Sequence, residues 1–65
     1  MESKVYCVRF WNKANECIRV GGKYWHEFDS EEEAMQGANA LLRAAVRAGA
    51  VEADINNKFY AIEDD

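Results

Sequence analysis

The sequence predicts an α+β fold, an antiparallel sheet of three to five strands with one long helix packed on one face, in the order β-β-β-α-β(-β). Three observations predict it: apolar residues alternate with polar ones before residue 28, recur with helical spacing between residues 31 and 48, and alternate again after residue 50. A chain of 65 residues has room for one hydrophobic core. We therefore expect a single small domain over residues 1–65.

The first two strands are predicted over residues 4–12 and 16–20, where β-branched and aromatic residues predominate. Both apolar faces must lie on the same side of the sheet, because a slip of one residue would turn one of them to solvent. The register that meets this condition pairs Phe10 with Ile18 and Val8 with Val20. It leaves a three-residue loop that ends at Asn15, and asparagine tolerates the left-handed conformation that such a loop requires at its last residue.

Gly21-Gly22 predicts a two-residue turn of the primed type, which returns the chain as a third strand over residues 23–28. In this arrangement Trp25 faces the core, while Tyr24 and His26 point away from the helix.

A second arrangement of the same stretch is one long strand over residues 16–28 with a bulge at the glycines. It turns Tyr24, His26 and Phe28 inward instead.

The helix is predicted from Glu31 to about Ala48. Ser30 followed three residues later by Glu33 is the pattern of a capping box, and the acidic first turn complements the positive end of the helix dipole. Gly49 ends the helix, because glycine readily adopts the left-handed conformation typical of that position. We therefore assign the acidic run to a helix start and not to metal binding.

After the helix, residues 51–55 alternate, and Asn56-Asn57 predicts a tight turn into a strand over residues 58–63. The resulting hairpin sets Val51 beside Ile62 and Ala53 beside Tyr60. Residues 63–65 are acidic, and we expect them to fray.

The predicted helix is uncharged over about 240° of its circumference, whereas a helix that covers one face needs little more than 100°. The bulky sector, which we expect to cover the sheet, consists of Met35, Ala38, Leu41, Leu42, Ala45 and Val46. The small-residue sector consists of Gly37, Ala40, Ala44 and Ala48. Small residues let another backbone approach closely, so we predict a homodimer whose helices touch along this sector. The alternative is that the alanines are good helix formers on an exposed face.

The sheet face away from the helix is predicted to carry arginines among aromatic side chains. The residues of this Arg/aromatic face, our candidate partner- or ligand-binding site, are Arg9, Trp11, Arg19, Tyr24 and His26. Arg9 is expected opposite Arg19, and like charges directly opposed destabilise a sheet. Arginine and tryptophan are enriched at binding hot spots, and guanidinium groups pair with phosphate or carboxylate. The alternative is that both arginines are surface charges that protect a sheet edge.

Charge and cysteine content argue against several classes of protein. Twelve acidic against eight basic residues give a net charge of −4, which is unlike a domain that binds nucleic acid through phosphates. The N-terminus lacks a signal-peptide pattern, and no apolar run approaches the ~20 residues of a membrane span. We expect a cytoplasmic protein with no membrane contact and with Cys7 and Cys17 as free thiols. These cysteines and His26 match no familiar zinc spacing, so no metal or cofactor is predicted.

No catalytic residue is predicted. The sequence lacks a phosphate-binding loop, a nucleophile elbow and a metalloprotease motif. Cys17 is expected beside His26, but a thiolate pair also needs an orienting group and an oxyanion site, and neither is evident.

These observations predict a non-enzymatic protein that acts by binding a partner macromolecule, in the first place a protein. Compact acidic chains of this profile occur among phage and mobile-element accessory proteins, some of which inhibit a host defence complex. The alternative function is an oligomeric protein that sequesters a nucleotide or another anion through the Arg/aromatic face, and single-stranded nucleic acid fits the same chemistry. A third is a subunit of a larger structural assembly.

Overall fold

The computed structural model describes residues 5–62 and has an α+β fold with one helix packed against an antiparallel sheet of five strands. The elements are β1 (Tyr6–Asn12), β2 (Cys17–Ile18), β3 (His26–Phe28), α1 (Glu31–Arg47), β4 (Ala50–Ile55) and β5 (Lys58–Ala61). The predicted fold class and element order are confirmed. Lys4 of the predicted first strand and the acidic end at 63–65 lie outside the described residues.

Strand β1 is the centre of the sheet, whose main strand order is β2-β1-β4-β5. Val8 pairs with His26 on one side and with Ile55 on the other. Phe10 likewise lies between Ile18 and Ala53. Strands β2 and β3 therefore share one edge of β1, and β4 occupies the opposite edge.

The core lies between α1 and the sheet, and it is built by the two-residue alternation of β1 and β4. Helix α1 packs against β1, β3 and β4, whereas all four residues of β5 are exposed. The buried apolar residues are Val8, Phe10, Val20, Ala34, Ala45, Ala50, Ala53 and Ile55. The helix therefore covers one part of the sheet and leaves the β5 side uncovered.

The first hairpin has the predicted register at its closed end. Phe10 pairs with Ile18, and Asn15 has a φ of 62°, as the three-residue loop requires. The predicted pairing of Val8 with Val20 is wrong. Val20 pairs instead with Lys23, through hydrogen bonds of 2.9 and 3.3 Å across the glycine turn.

The glycine turn is present, because Gly21 and Gly22 have φ angles of 63° and 83° and only residues that tolerate positive φ form such a turn. The turn does not start a strand that pairs with β2. After Lys23 the chain rejoins the edge of β1, where Tyr6 pairs with Phe28.

This pairing overturns the predicted orientation of the third strand. Trp25, expected in the core, is 54% exposed. His26 and Phe28 face the helix side, as in the alternative arrangement, because they pair with Val8 and Tyr6. Tyr24 is 49% exposed, so its inward orientation in that alternative is wrong as well.

The helix begins and ends where its capping residues predict. The Ser30 side chain accepts a hydrogen bond of 3.1 Å from the Glu33 backbone N–H, and Glu33 accepts one from the Asp29 backbone N–H. Ala48 is the C-cap, and Gly49 follows it with a φ of 98°. Local polar chemistry thus determines both ends of the helix.

The second hairpin also agrees with the prediction. Asn56 and Asn57 have φ angles of 50° and 72°. Ala53 pairs with Tyr60, and the Ile62 backbone N–H donates to the Val51 carbonyl at 3.0 Å.

The orientation of the helix explains its wide uncharged arc. Ala34, Ala38, Leu41 and Ala45 belong to the core or pack against it. Met35, expected to cover the sheet, is 53% exposed and lies on the side of α1 that faces the uncovered part of the sheet.

Candidate binding site

The structure divides the five residues of the predicted Arg/aromatic face into three groups. Arg9 and Trp11 lie on the outer face of β1, beside Asp54 of β4. Arg19 and Tyr24 lie in the segment between β2 and β3, which we call the 19–25 loop. His26 lies on the helix side of the sheet. One continuous surface of these five residues does not form.

Asp54 organises the outer face of the sheet. Its side chain has no solvent exposure, and its carboxylate accepts hydrogen bonds from three donors. The donors are Arg9 Nη2 at 2.8 Å, Trp11 Nε1 at 3.2 Å and the Asn57 backbone N–H at 2.9 Å. These partners compensate the loss of hydration that burial of a charge entails. We call Asp54 with these donors the Asp54 cluster.

Arg9 is therefore held by partners within the chain. Its Nη2 atom also donates to Asn57 Oδ1 at 2.9 Å, and its guanidinium carbon lies 5.3 Å from the centre of the Trp11 ring. The Arg9 Nε atom is buried and has no hydrogen-bond partner among residues 5–62. The structure does not pair Arg9 with Arg19, because the pairing of β1 with β2 ends at Phe10 and Ile18 and Arg19 lies beyond the end of β2. On the opposite edge of β1, Arg9 pairs with Asp54.

Cys7 lies next to the Asp54 cluster and is joined to the second hairpin. Its backbone N–H donates to Asn56 Oδ1 at 2.8 Å, and its carbonyl accepts from the Asn56 backbone N–H at 3.0 Å. Burial raises the pKa of the Cys7 thiol, the carboxylates of Glu27 and Asp54 raise it as well, and the Arg9 guanidinium opposes them. At neutral pH a smaller fraction of the Cys7 thiol is therefore deprotonated than in an unfolded peptide, so Cys7 is less nucleophilic than a cysteine in such a peptide.

The 19–25 loop presents the other half of the predicted site to solvent. Tyr24 and Trp25 are 49% and 54% exposed, and the Arg19 guanidinium carbon lies 5.5 Å from the centre of the Tyr24 ring, as predicted for neighbouring side chains. An open cavity of about 500 Å³ is lined by Lys23, Tyr24, Trp25 and Glu27. Trp25 and Lys23 were not among the predicted site residues.

Several hydrogen bonds hold the loop in place. His26 Nε2 donates to the Val20 carbonyl at 2.9 Å, and the Cys17 thiol donates to the Tyr24 carbonyl at 3.4 Å. Val20 itself is buried in the core. The loop is therefore anchored at both ends while its aromatic side chains remain exposed.

The loop lies in a basic stretch of an acidic chain. Residues 13–25 contain Lys13, Arg19 and Lys23 against Glu16. Because the chain as a whole carries a net charge of −4, this edge of the sheet differs in charge from the rest of the molecule. Such a difference attracts acidic partners to one side of a protein.

Cys17 and His26 do not form the pair considered from the sequence. Cys17 pairs with Trp11 on the outer face, whereas His26 pairs with Val8 on the helix side. Across the described part of the chain, no group of histidine, cysteine, aspartate and glutamate side chains is arranged to hold a metal ion.

The small-residue sector of the helix is also divided. A Cβ atom on Gly37 would overlap the ring of Phe28, so the glycine makes room for a side chain of its own sheet. Ala40, Ala44 and Ala48 are exposed. The argument that Gly37 makes room for a second helix is therefore wrong, and association through the three alanines stays a prediction.

Comparison with protein families, with curated proteins and with solved structures finds no match to this chain. Among residues 5–62, no helix combines the length and the apolar character needed to cross a membrane.

Proposed function

We propose that this chain is a non-enzymatic protein that acts by binding a partner protein, and that the 19–25 loop is its binding site. The observation that carries the proposal is the exposure of Tyr24 and Trp25 beside Arg19 and Lys23. Tryptophan, tyrosine and arginine are the residues most enriched at binding hot spots. Two half-exposed aromatic side chains on one anchored loop have the properties of interface anchors.

The charge of the loop selects the chemistry of the partner. Arg19 and Lys23 favour an acidic surface, and the aromatic rings favour an adjoining apolar pocket. The hydrogen bonds from His26 and Cys17 keep the loop ordered before binding, which lowers the entropy lost on association. A partner with a carboxylate-rich rim around a hydrophobic pocket fits this loop.

The proposal extends to the biological role. A chain of 65 residues that binds through one loop can act by occupying a surface that its partner needs. Some accessory proteins of phages and mobile elements inhibit a host defence complex, and we propose that this protein belongs to that class. Its small size, its acidic charge and its anchored aromatic loop support this assignment.

The experiment starts with capture of the partner from the source organism and continues with purified components. We expect Trp25→Ala to weaken binding by roughly 30-fold or more, which corresponds to the loss of a hot-spot side chain. Val51→Ala is the matched control, because Val51 is 41% exposed on β4, away from the loop. Isothermal titration calorimetry measures both variants. Unchanged affinity for the folded Trp25→Ala chain would remove the loop as the binding site.

A second candidate function is the binding of a nucleotide or another organic anion in the open cavity beside Trp25. The observation in its favour is the position of Lys23 on the wall of a cavity that also carries two aromatic rings. A thermal-shift screen with nucleotides distinguishes it, since a ligand that binds the folded state raises the melting temperature. A rise that Lys23→Ala abolishes supports this function. No rise at millimolar nucleotide argues against it.

A further inference from the structure

Strand β5 has an open edge. Within residues 5–62, β5 pairs with β4 and with no other strand. Lys58 and Tyr60 pair with Ile55 and Ala53, and in a hairpin with a two-residue turn these positions direct their backbone groups toward the neighbouring strand. The N–H and C=O groups of Phe59 and Ala61 therefore point outward, in the direction of a further strand.

The two edges of the sheet differ in how they are protected. The β2/β3 edge is interrupted by the 19–25 loop, which prevents a regular strand from pairing there. Strand β5 has no bulge in its pairing, and the chain contains no proline. Natural proteins protect free edges with such devices, so β5 is the edge available for strand addition.

Aromatic residues flank this open edge on both faces of the sheet. Tyr60 is 47% exposed on the helix side, and Phe59 is 51% exposed on the outer face. The Phe59 ring lies 6.1 Å from that of Trp11. A strand added to β5 would cover both aromatic side chains at once.

An apolar groove lies between this edge and the helix. It has a volume of about 290 Å³ and includes Met35, Leu42, Ile55 and Tyr60 among its lining residues. We call it the β5 groove. Its apolar wall on the helix is the part of the wide uncharged arc that the sheet does not cover.

We propose that β5 pairs with β5 of a second copy of this chain, in an antiparallel register centred on Tyr60. In this register Phe59 of each copy pairs with Ala61 of the other, and the outward N–H and C=O groups of these residues satisfy one another. A large side chain faces a small one on the outer face. The two Tyr60 side chains meet on the helix side, where each can turn into a β5 groove.

The charges on helix α1 favour a second copy of this chain as the partner that pairs with β5. Phe28, just before helix α1, pairs with Tyr6 at the start of β1, and Ala50, just after the helix, pairs with Asn12 at the end of β1. The helix therefore runs in the direction of β1. Strand β5 runs in the same direction, because β1 and β5 are both antiparallel to β4. The exposed acids Glu31 and Glu32 lie at its start, and the exposed bases Arg43 and Arg47 lie at its end.

An antiparallel copy reverses this order, so that the acidic end of each helix lies on the same side as the basic end of the other. Gln36 and Asn39 line the groove. Glu32 lies four residues before Gln36, and Arg43 lies four residues after Asn39. Residues four apart share one side of a helix, so Glu32 and Arg43 lie on the side that faces the second copy. The pattern is therefore self-complementary.

The experiment uses the full chain with Cys7→Ser and Cys17→Ser, so that introduced cysteines are the sole thiols. In the proposed register, position 60 of one copy and position 60 of the other form a non-hydrogen-bonded pair across the two-fold axis. The spacing of such a pair is suited to a disulfide. We expect Tyr60→Cys to form a disulfide-linked dimer under mild oxidation. Ala44→Cys, on the exposed helix face, is the matched control and is expected to remain unlinked.

A second measurement tests the hydrogen bonds in the unlinked protein. Ala61→Pro removes an outward N–H without removing a bond to β4. By analytical ultracentrifugation we expect it to weaken dimerisation at least about tenfold, because bonds are lost at two symmetric positions. In the unsubstituted chain, amide exchange at Phe59 and Ala61 should slow as the protein concentration rises.

Each remaining outcome overturns the proposal. Cross-linking through Ala44→Cys but not Tyr60→Cys would assign association to the helix alanines instead. A chain that stays monomeric at every concentration, with rapid exchange at Phe59 and Ala61, would leave the edge for a strand of a different protein.

Discussion

Asp54 is the residue on which the outer face of the sheet depends. Its buried carboxylate has three donors, and Arg9 is the charged one. We predict that Arg9→Ala lowers the free energy of unfolding by about 3–5 kcal/mol, because it leaves a buried charge without its counter-ion. That loss is a large part of the stability of any small domain. Urea denaturation followed by tryptophan fluorescence measures it.

The control for this prediction is the other arginine of the predicted site. Arg19 lies over Tyr24 on an exposed loop, so Arg19→Ala should cost less than about 1 kcal/mol. If both substitutions cost the same, the Asp54 cluster does not have the structural role assigned here. The two arginines also illustrate why partner binding must be tested through Arg19 and Trp25 and not through Arg9.

Cys7 provides a prediction for the dependence of stability on pH. Burial raises the pKa of its thiol above the ordinary value of 9.0, so the folded state holds this proton more tightly than the unfolded state. The resulting stabilisation is fully present below pH 9.0 and is lost as the pH rises through the folded-state value. Thermal melts between pH 8 and pH 11 should therefore show a decline above about pH 9 that is smaller in Cys7→Ser.

Thiol reactivity gives an independent reading of the same residue. In a Cys17→Ser background, Cys7 should react with iodoacetamide at pH 8 more slowly than a cysteine in an unfolded peptide. An equal rate would contradict the raised pKa.

At the scale of elements, Gly37 and Phe28 join the helix to the third strand. A Cβ on Gly37 would overlap the Phe28 ring, so we predict that Gly37→Ala destabilises the chain by about 1–2 kcal/mol. This is the cost of overpacking less the helix propensity that alanine adds. Thermal or urea denaturation measures the change.

A double-mutant cycle identifies the cause. Leucine at position 28 lacks the ring atoms that meet the added methyl group, so Gly37→Ala should stabilise the chain in a Phe28→Leu background. Stabilisation by Gly37→Ala alone would contradict the contact.

The elements that the sequence predicts well carry their signals locally. The helix has Ser30 at one end and Gly49 at the other, and the second hairpin has two asparagines that tolerate positive φ. The position of β3 depends instead on a pairing with β1, eighteen or more residues away in the sequence. Local alternation cannot distinguish that pairing from a hairpin with β2, because both satisfy the turn at the glycines.

The candidate site was predictable to the same extent. Arg19 and Tyr24 lie close together in the sequence, and their contact was predicted. Local alternation puts Trp25 in the core, because it pairs the third strand with β2 and not with β1. The pairing of Arg9 with Asp54 could be found only by knowing that β1 and β4 are neighbours, which no local signal in either strand reveals.

At the scale of the whole molecule, the two exposed surfaces lie at opposite edges of one sheet. The 19–25 loop lies on the β2/β3 side of β1, and the open strand β5 lies beyond β4. Pairing through β5 leaves both loops accessible at the far ends of a joined sheet. Such a dimer would engage a repetitive or symmetric target with two loops, and the second contact would form at high effective concentration.

The central position of β1 also governs when the protein can acquire its structure. Trp11 and Asp54, which share a hydrogen bond, are separated by 43 positions. Synthesis runs from the N-terminus, so β1 is made before β4, and its second edge stays unpaired until β4 has been synthesised. We conclude that β1 lacks half of its partners until β4 is present, and that residues 5–62 fold as one cooperative unit and not strand by strand.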